Sequence, residues 1–127
     1  MLFSDTYKTI EEESKGLFKD RGSRFIAIAV PVTSQDEIKT RLAELRKEYH
    51  DARHHCFAWV LGPDRQTWRV SDDGEPSGTA GRPILAQINA RELTNIMIVV
   101  IRYFGGTLLG VGGLINAYRS AAADALE

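Results

Sequence analysis

At 127 residues the chain has the size of one ordinary domain, and 43% apolar with 26% charged residues excludes intrinsic disorder. A formal net charge of −1 argues against a nucleic-acid binder that works by bulk electrostatics, so any such role has to rest on a local patch. The lone Cys56 rules out an intrachain disulfide and, with no CxxC pair, a zinc knuckle.

The residues after Met1-Leu2-Phe3 are polar and form no apolar signal core, and the longest apolar run, 96–101, is of strand length. A cytoplasmic protein without membrane contact is expected. No repeat, low-complexity tract or Pro/Ser-rich linker interrupts the chain, so residues 1–127 read as one domain.

In chain order, Phe25-Ile26-Ala27-Ile28-Ala29-Val30 is a strand closed by Pro31, which supplies no ladder donor. Gly22 marks a turn from an earlier strand, placed around 9–18 and paired with it as a hairpin. Ser34 and Glu37 have capping-box spacing, and Ile38, Leu42, Leu45 and Tyr49 recur at helical intervals, which predicts a helix over 34–49. Its many Lys, Arg and Glu residues read as a solvated face in preference to a nucleic-acid surface.

Cys56-Phe57-Ala58-Trp59-Val60-Leu61 is a strand stopped by Gly62-Pro63-Asp64, with 66–70 as its hairpin partner. After a polar loop, 71–81, a second helix opens near Pro83 and presents Ile84, Leu85 and Ile88. The continuous apolar run 96–101 predicts a central strand covered on both faces. A glycine-rich loop, 105–113, then leads into a last helix with Leu114, Ile115, Tyr118, Ala121, Ala122 and Ala125 on its core face. That helix has no stop signal before Glu127, which suggests a natural protein that continues.

Three segments concentrate polar and glycine residues. In Asp51-Ala52-Arg53-His54-His55-Cys56, alternation puts His54 and Cys56 on one face and His55 on the other. Cys56 sits among apolar neighbours and reads as a small buried hydrophobe, whereas His54 and His55 stay open between structural hydrogen bonding and a site.

Ser71-Asp72-Asp73-Gly74-Glu75-Pro76-Ser77-Gly78-Thr79-Ala80-Gly81-Arg82 brings three carboxylates together, but not at the spacing of a calcium loop. Turn formation explains it equally. Its glycines precede a helix, so their N–H groups, reinforced by Arg82, are candidates to hold a phosphate or carboxylate. The third segment, Arg102-Tyr103-Phe104-Gly105-Gly106, runs into Gly110-Val111-Gly112-Gly113. It matches neither the P-loop nor the dinucleotide fingerprint, and close packing of the loop is an equal explanation.

Together, in order and with Gly22-Ser23-Arg24-Phe25, Leu114 and Ala117-Tyr118, these segments resemble the N-terminal domain of the IMPACT (YigZ-type) family over nearly the whole chain. The resemblance implies an α+β fold like the second domain of ribosomal protein S5, expected as a mixed sheet with helices packed on one face. It also implies that a small ferredoxin-like domain, usual after this one in bacterial members, is absent from this chain. Eukaryotic members are linked to translational control, competing for an activator of a kinase that phosphorylates an initiation factor. For bacterial members nucleic-acid or ribosome binding is the usual suggestion.

No catalytic residue, metal or cofactor is implied. The candidate ligand- or partner-binding surface comprises Arg53, His54, Asp72, Asp73, Glu75, Ser77, Thr79, Arg102 and Tyr103, with Arg82, Gly105 and Gly106 beside them. The preferred reading is a non-enzymatic module binding RNA, the ribosome or a translation-regulator protein, with Arg102 and Tyr103 meeting phosphate and base. The alternatives are a domain for protein interaction only, or a metal- or phosphate-dependent hydrolase using His54 and the clustered carboxylates.

Overall fold

The computed structural model describes residues 7–127. Among them the elements run β1 (Ser14–Asp20), β2 (Ser23–Pro31), α1 (Gln35–Glu48), β3 (His54–Leu61), β4 (Thr67–Ser71), α2 (Gly81–Ala90), β5 (Ile96–Tyr103) and α3 (Gly110–Ala125). The strands form one five-stranded sheet in the order β1-β2-β5-β3-β4.

The α+β class stands, but two expectations need correction. The sheet is antiparallel at every strand pair, not mixed. Among the described residues, parallel pairing is confined to an isolated bridge between Lys8 and Leu93. The reason is topological: β2 and β3 run the same way, joined by the crossover helix α1, but they are not neighbours. The late strand β5 occupies the gap between them and runs against both.

The helices also pack on both faces, not one. Ile38, Leu42 and Leu45 of α1 cover Phe57, Trp59, Met97, Val99 and Ile101. On the other face α2 and α3 bring Ile84, Ile88, Leu114 and Tyr118 onto Ala27, Ala58, Ile98 and Val100. A strand apolar at six consecutive positions, as β5 is from Ile96 to Ile101, leaves one row bare unless both sides are covered.

Local chemistry explains most boundaries. The β1–β2 hairpin closes through Arg21 and Gly22, both at positive φ (48° and 85°), the two-residue loop whose twist matches that of paired strands. β1 itself lies at Ser14–Asp20, later than the 9–18 expected. Ser34 caps α1 by accepting from the Glu37 N–H at 3.2 Å. Glu37 in turn accepts from the backbone N–H of Thr33 at 2.6 Å, one residue earlier than a standard capping box. α3 begins at Gly110, so Gly112 and Gly113 belong to its first turn and not to the loop.

The α2/α3 face is lined with small side chains, and the helices come close. A Cβ on Gly16 of β1 would lie 2.3 Å from the Ala125 nitrogen, so α3 rests directly on the strand backbone there.

Candidate functional site

The site forms at the end of the sheet where β5 finishes. Strand register places Arg102 opposite Phe25 on one side and His54 on the other. Alternation sets Arg102 in the row that holds Ile98 and Val100, so its guanidinium enters the α2/α3 core and only 4% of the residue is exposed. A charge there needs a partner. Arg102 Nη1 donates to both carboxylate oxygens of Glu75, at 3.0 and 2.8 Å, and Nη2 lies 3.4 Å from Ser23 Oγ. The rings of Phe25 and Phe104 stand 5.4 and 5.5 Å from the guanidinium carbon. Arg102 Nε is buried without a hydrogen-bond partner among the described residues.

Glu75 reaches this point because the loop of residues 72–80 folds over the sheet end. The Asp72 carboxylate accepts from the N–H groups of Gly78, Ala80 and Gly81 at 2.9, 3.2 and 2.8 Å. Burial works against its charge, but these backbone donors outweigh it and hold the carboxyl below the usual aspartate range. Thr79 is buried and donates to the Pro76 carbonyl through both N–H and Oγ1. Asp73 Oδ2 accepts from the His55 N–H at 2.7 Å. His54 Nδ1 donates to the Asp73 carbonyl at 2.7 Å, while its Nε2 stands 3.5 Å from Glu75 Oε1.

Behind Glu75, the Tyr118 hydroxyl of α3 donates to Oε2 at 2.5 Å. Cys56 Sγ donates to the Asp72 carbonyl at 3.1 Å and lies 3.4 Å from the Tyr118 hydroxyl. Burial pushes both the thiol and the phenol up. A thiol held protonated in this way is no nucleophile, in keeping with the reading of Cys56 as a buried small side chain.

Arg102, Glu75 and His54 are thus in direct contact, with Asp72, Asp73 and Thr79 shaping the loop that delivers Glu75. The three carboxylates diverge: Asp72 serves backbone N–H groups, Asp73 the His55 N–H, and Glu75 the guanidinium. Among the described residues no three His, Cys, Asp or Glu side chains are grouped to hold a metal ion.

The anion site expected ahead of α2 is already filled by the chain's own Asp72, which takes those glycine-loop donors. Arg82 is exposed, lies 5.9 Å from the Trp68 ring, and adds a smaller electrostatic stabilisation of the Asp72 charge. Ser77 is exposed on the loop's outer side.

The remaining candidates lie around the same sheet end. Arg53 stacks 4.5 Å from the Phe104 ring centre and, with Asp51, Tyr103 and Phe104, lines a cavity of about 260 Å³. The Tyr103 hydroxyl donates to Asp51 at 3.0 Å, and Arg24 covers its ring at 4.7 Å. Gly105 is there for contact: a Cβ would lie 2.1 Å from the Gly22 carbonyl carbon. Gly106 faces open space at φ +90° and serves the turn.

Next to the Arg102–Glu75 pair, Pro76, Leu108, Leu109, Val111 and Leu114 line a second cavity of about 240 Å³. Leu108 and Val111 stand on its rim, 82% and 59% exposed.

Sequence reasoning missed Ser23, Phe25, Phe104 and Tyr118 as members of the site. Tyr118 carried a signal, since a phenol on a helix stripe of alanines needs a buried partner for its hydroxyl. Ser23 and Phe25 carried none, because only the register brings them to Arg102.

Comparison with known proteins agrees with this architecture. The Impact N-terminal domain family matches residues 21–126. The chain is 47% identical over 107 residues to IMPACT family member YigZ of Escherichia coli (strain K12), covering 83% of this chain and 52% of that protein. It superposes on the crystal structure of a hypothetical protein with a TM-score of 0.89 at 42% identity, covering 93% of this chain and 58% of the other. It also superposes on the two-domain translational regulator Yih1 with a TM-score of 0.58 at 25% identity, covering 98% of this chain and 50% of Yih1. The chain therefore spans about half the length of these relatives, from 50% to 58%. By sequence and by fold, it belongs to the IMPACT family and corresponds to that family's N-terminal domain.

Proposed function

We propose that this chain is a non-enzymatic binding domain of translation control, which docks on a translation-regulator protein through the loop rim formed by Pro76, Leu108 and Val111. One observation carries the reading. The side chains that could do chemistry are bonded to one another, while two large apolar side chains on the adjoining loop stand in solvent. Apolar groups exposed together around a cavity are the usual mark of a macromolecular contact. The likeness to a translational regulator, Yih1, supports the choice of partner.

Arg102 acts from behind this surface. It is too buried to meet a ligand itself, and instead fixes Glu75 and thereby the Pro76 side of the rim.

The test is cross-linking of the chain to soluble translation factors and to purified ribosomes, with the Leu108→Asp/Val111→Asp double variant alongside. The proposal expects a protein adduct that the double variant reduces about tenfold with an unchanged melting temperature. Adducts unaffected by the double variant would remove the rim from the reading, and turnover of a phosphate ester dependent on His54 would restore the hydrolase.

A second reading, contact with RNA or the ribosome, has separate support. Arg24 and Arg53 flank Tyr103 at the same end of the sheet, on the surface away from the α2/α3 core.

A further inference from the structure

We infer that this basic end of the sheet is a contact for single-stranded RNA, built from Lys15, Lys19, Arg24, Tyr103 and Arg53. The inference rests on the second reading above and gives it a surface. None of the loops of the candidate site supplies Lys15, Lys19 or Arg24, which come from the early hairpin.

Register makes the row. Lys19 pairs with Arg24 across β1 and β2, and Arg24 pairs with Tyr103 across β2 and β5. Arg53 continues it: its N–H donates to the Arg102 carbonyl at 3.0 Å, and it lines one cavity with Tyr103. At about 4.8 Å per strand, the three steps from Lys19 to Arg53 span roughly 14 Å. Lys15, Leu17, Lys19, Arg24 and Ile26, with Asp124 at its side, line a further cavity of about 370 Å³, on the part of this face that α1 leaves uncovered.

The two cavities of this surface are lined by four cations and two carboxylates, Asp51 and Asp124. Lys15, Lys19, Arg24 and Arg53 are all exposed, and among the described residues none has a carboxylate within 4.0 Å. Each of the two acids already accepts a hydrogen bond within the surface, Asp124 from the Leu17 N–H at 2.8 Å and Asp51 from the Tyr103 hydroxyl at 3.0 Å. Like charges directly across a strand pair repel, as Lys19 and Arg24 do, so the folded sheet holds a repulsion that a bound anion relieves. On a chain of net charge −1 this concentration is local and not a product of composition.

The occupant follows from how two of the cations are held. Arg24 lies over the Tyr103 ring and Arg53 over the Phe104 ring, so both guanidinium planes are carried on aromatic rings, and Leu17, 46% exposed, adds apolar surface in the neighbouring cavity. Cations that track phosphates and guanidinium planes that stack bases are two parts of a single-strand contact. A duplex would present phosphates only and leave the guanidinium planes without a base to stack on.

The experiment is a fluorescence-anisotropy titration of the whole chain with a labelled oligouridylate of about 12 nucleotides, repeated over a salt series. Four phosphate contacts at about −0.7 each predict a slope of log K against log salt near −3. Lys15→Gln/Lys19→Gln should lower affinity at low salt about tenfold and bring the slope to about −1.4. Tyr103→Leu should weaken binding about tenfold with the slope unchanged, because it removes the ring that holds the Arg24 guanidinium in place to stack a base. Arg46→Gln/Lys47→Gln on α1, and Leu108→Asp on the rim, should leave the titration as it is.

Saturable RNA binding that ignores the Lys15, Lys19 and Tyr103 variants overturns this surface while leaving the RNA reading in place. No saturable binding at low salt overturns both, with the protein-docking rim untouched. Heparin bound as tightly as RNA, and insensitive to Tyr103→Leu, overturns the assignment to RNA.

Discussion

Arg102 and Glu75 show how much one buried pair can decide. Each is almost fully enclosed, and each satisfies the other's charge within 3.0 Å. Removing one partner strands the other in the core, so Arg102→Ala should destabilise the fold by about 3–5 kcal/mol, measured by urea denaturation. Replacing Arg102 and Glu75 together by Met and Leu should recover much of that loss, because no lone charge then remains. A double variant no more stable than Arg102→Ala would show that the pair is not coupled. Asp72 is the other residue whose ionisation matters. Burial opposes its charge and three backbone N–H groups favour it, with the balance toward a lowered folded pKa. Its contribution is therefore complete above the unfolded aspartate value of about 3.9 and is lost as pH falls through the folded pKa. In Asp72→Asn that contribution is missing at every pH. The stability gap between the wild type and Asp72→Asn should accordingly be full at neutral pH and shrink below about pH 4. A gap that stays constant into acid would mean that the carboxylate's charge plays no part in holding the 72–80 loop.

At the scale of elements, the sequence was legible wherever local chemistry suffices. Ser34 with Glu37, the periodicity of Ile38, Leu42 and Leu45, and Pro83 in a first turn each placed a helix to within a few residues. The last helix was harder, since glycines at 112 and 113 read as loop although they sit in its first turn. Glycine disfavours a helix by its freedom, and tertiary packing overrides that preference. Gly16 is the reverse case, a residue with no local meaning whose absent side chain lets α3 lie on β1. Gly16→Val should cost about 1–3 kcal/mol through overpacking, read from the shift in denaturation midpoint. If Gly16→Val matches the wild type in stability, α3 and β1 are not in the close contact described.

For the whole molecule, β5 is the organising strand. It is central, it pairs on both sides with β2 and β3, and both of its faces are covered. Its amides should exchange with solvent only through global unfolding, whereas those of the five-residue edge strand β4 should exchange through local opening. Hydrogen-exchange mass spectrometry checks this directly, and equal protection of residues 67–71 and 96–101 would contradict it. The same centrality gives the site its position, because β5 ends with Arg102 facing one core and Tyr103 facing the other side.

By itself the sequence determined the hairpins, the three helices and the burial of residues 96–101, because each depends on patterning within a short window, while the α+β class came through the family resemblance. It also drew attention to the loops that meet at the sheet end. Strand order and direction were outside its reach: nothing local tells β5 to enter between β2 and β3, and the mixed sheet with helices on one face was the cost of not knowing it. The roles of the charged residues were equally tertiary. Arg102 and Arg53 look alike in sequence, yet strand alternation buries the first against Glu75 and leaves the second in solvent over Phe104. Which charges hold the loops and which remain free to meet a partner was settled only when the strands paired, since burial is a property of the sheet and not of the residue.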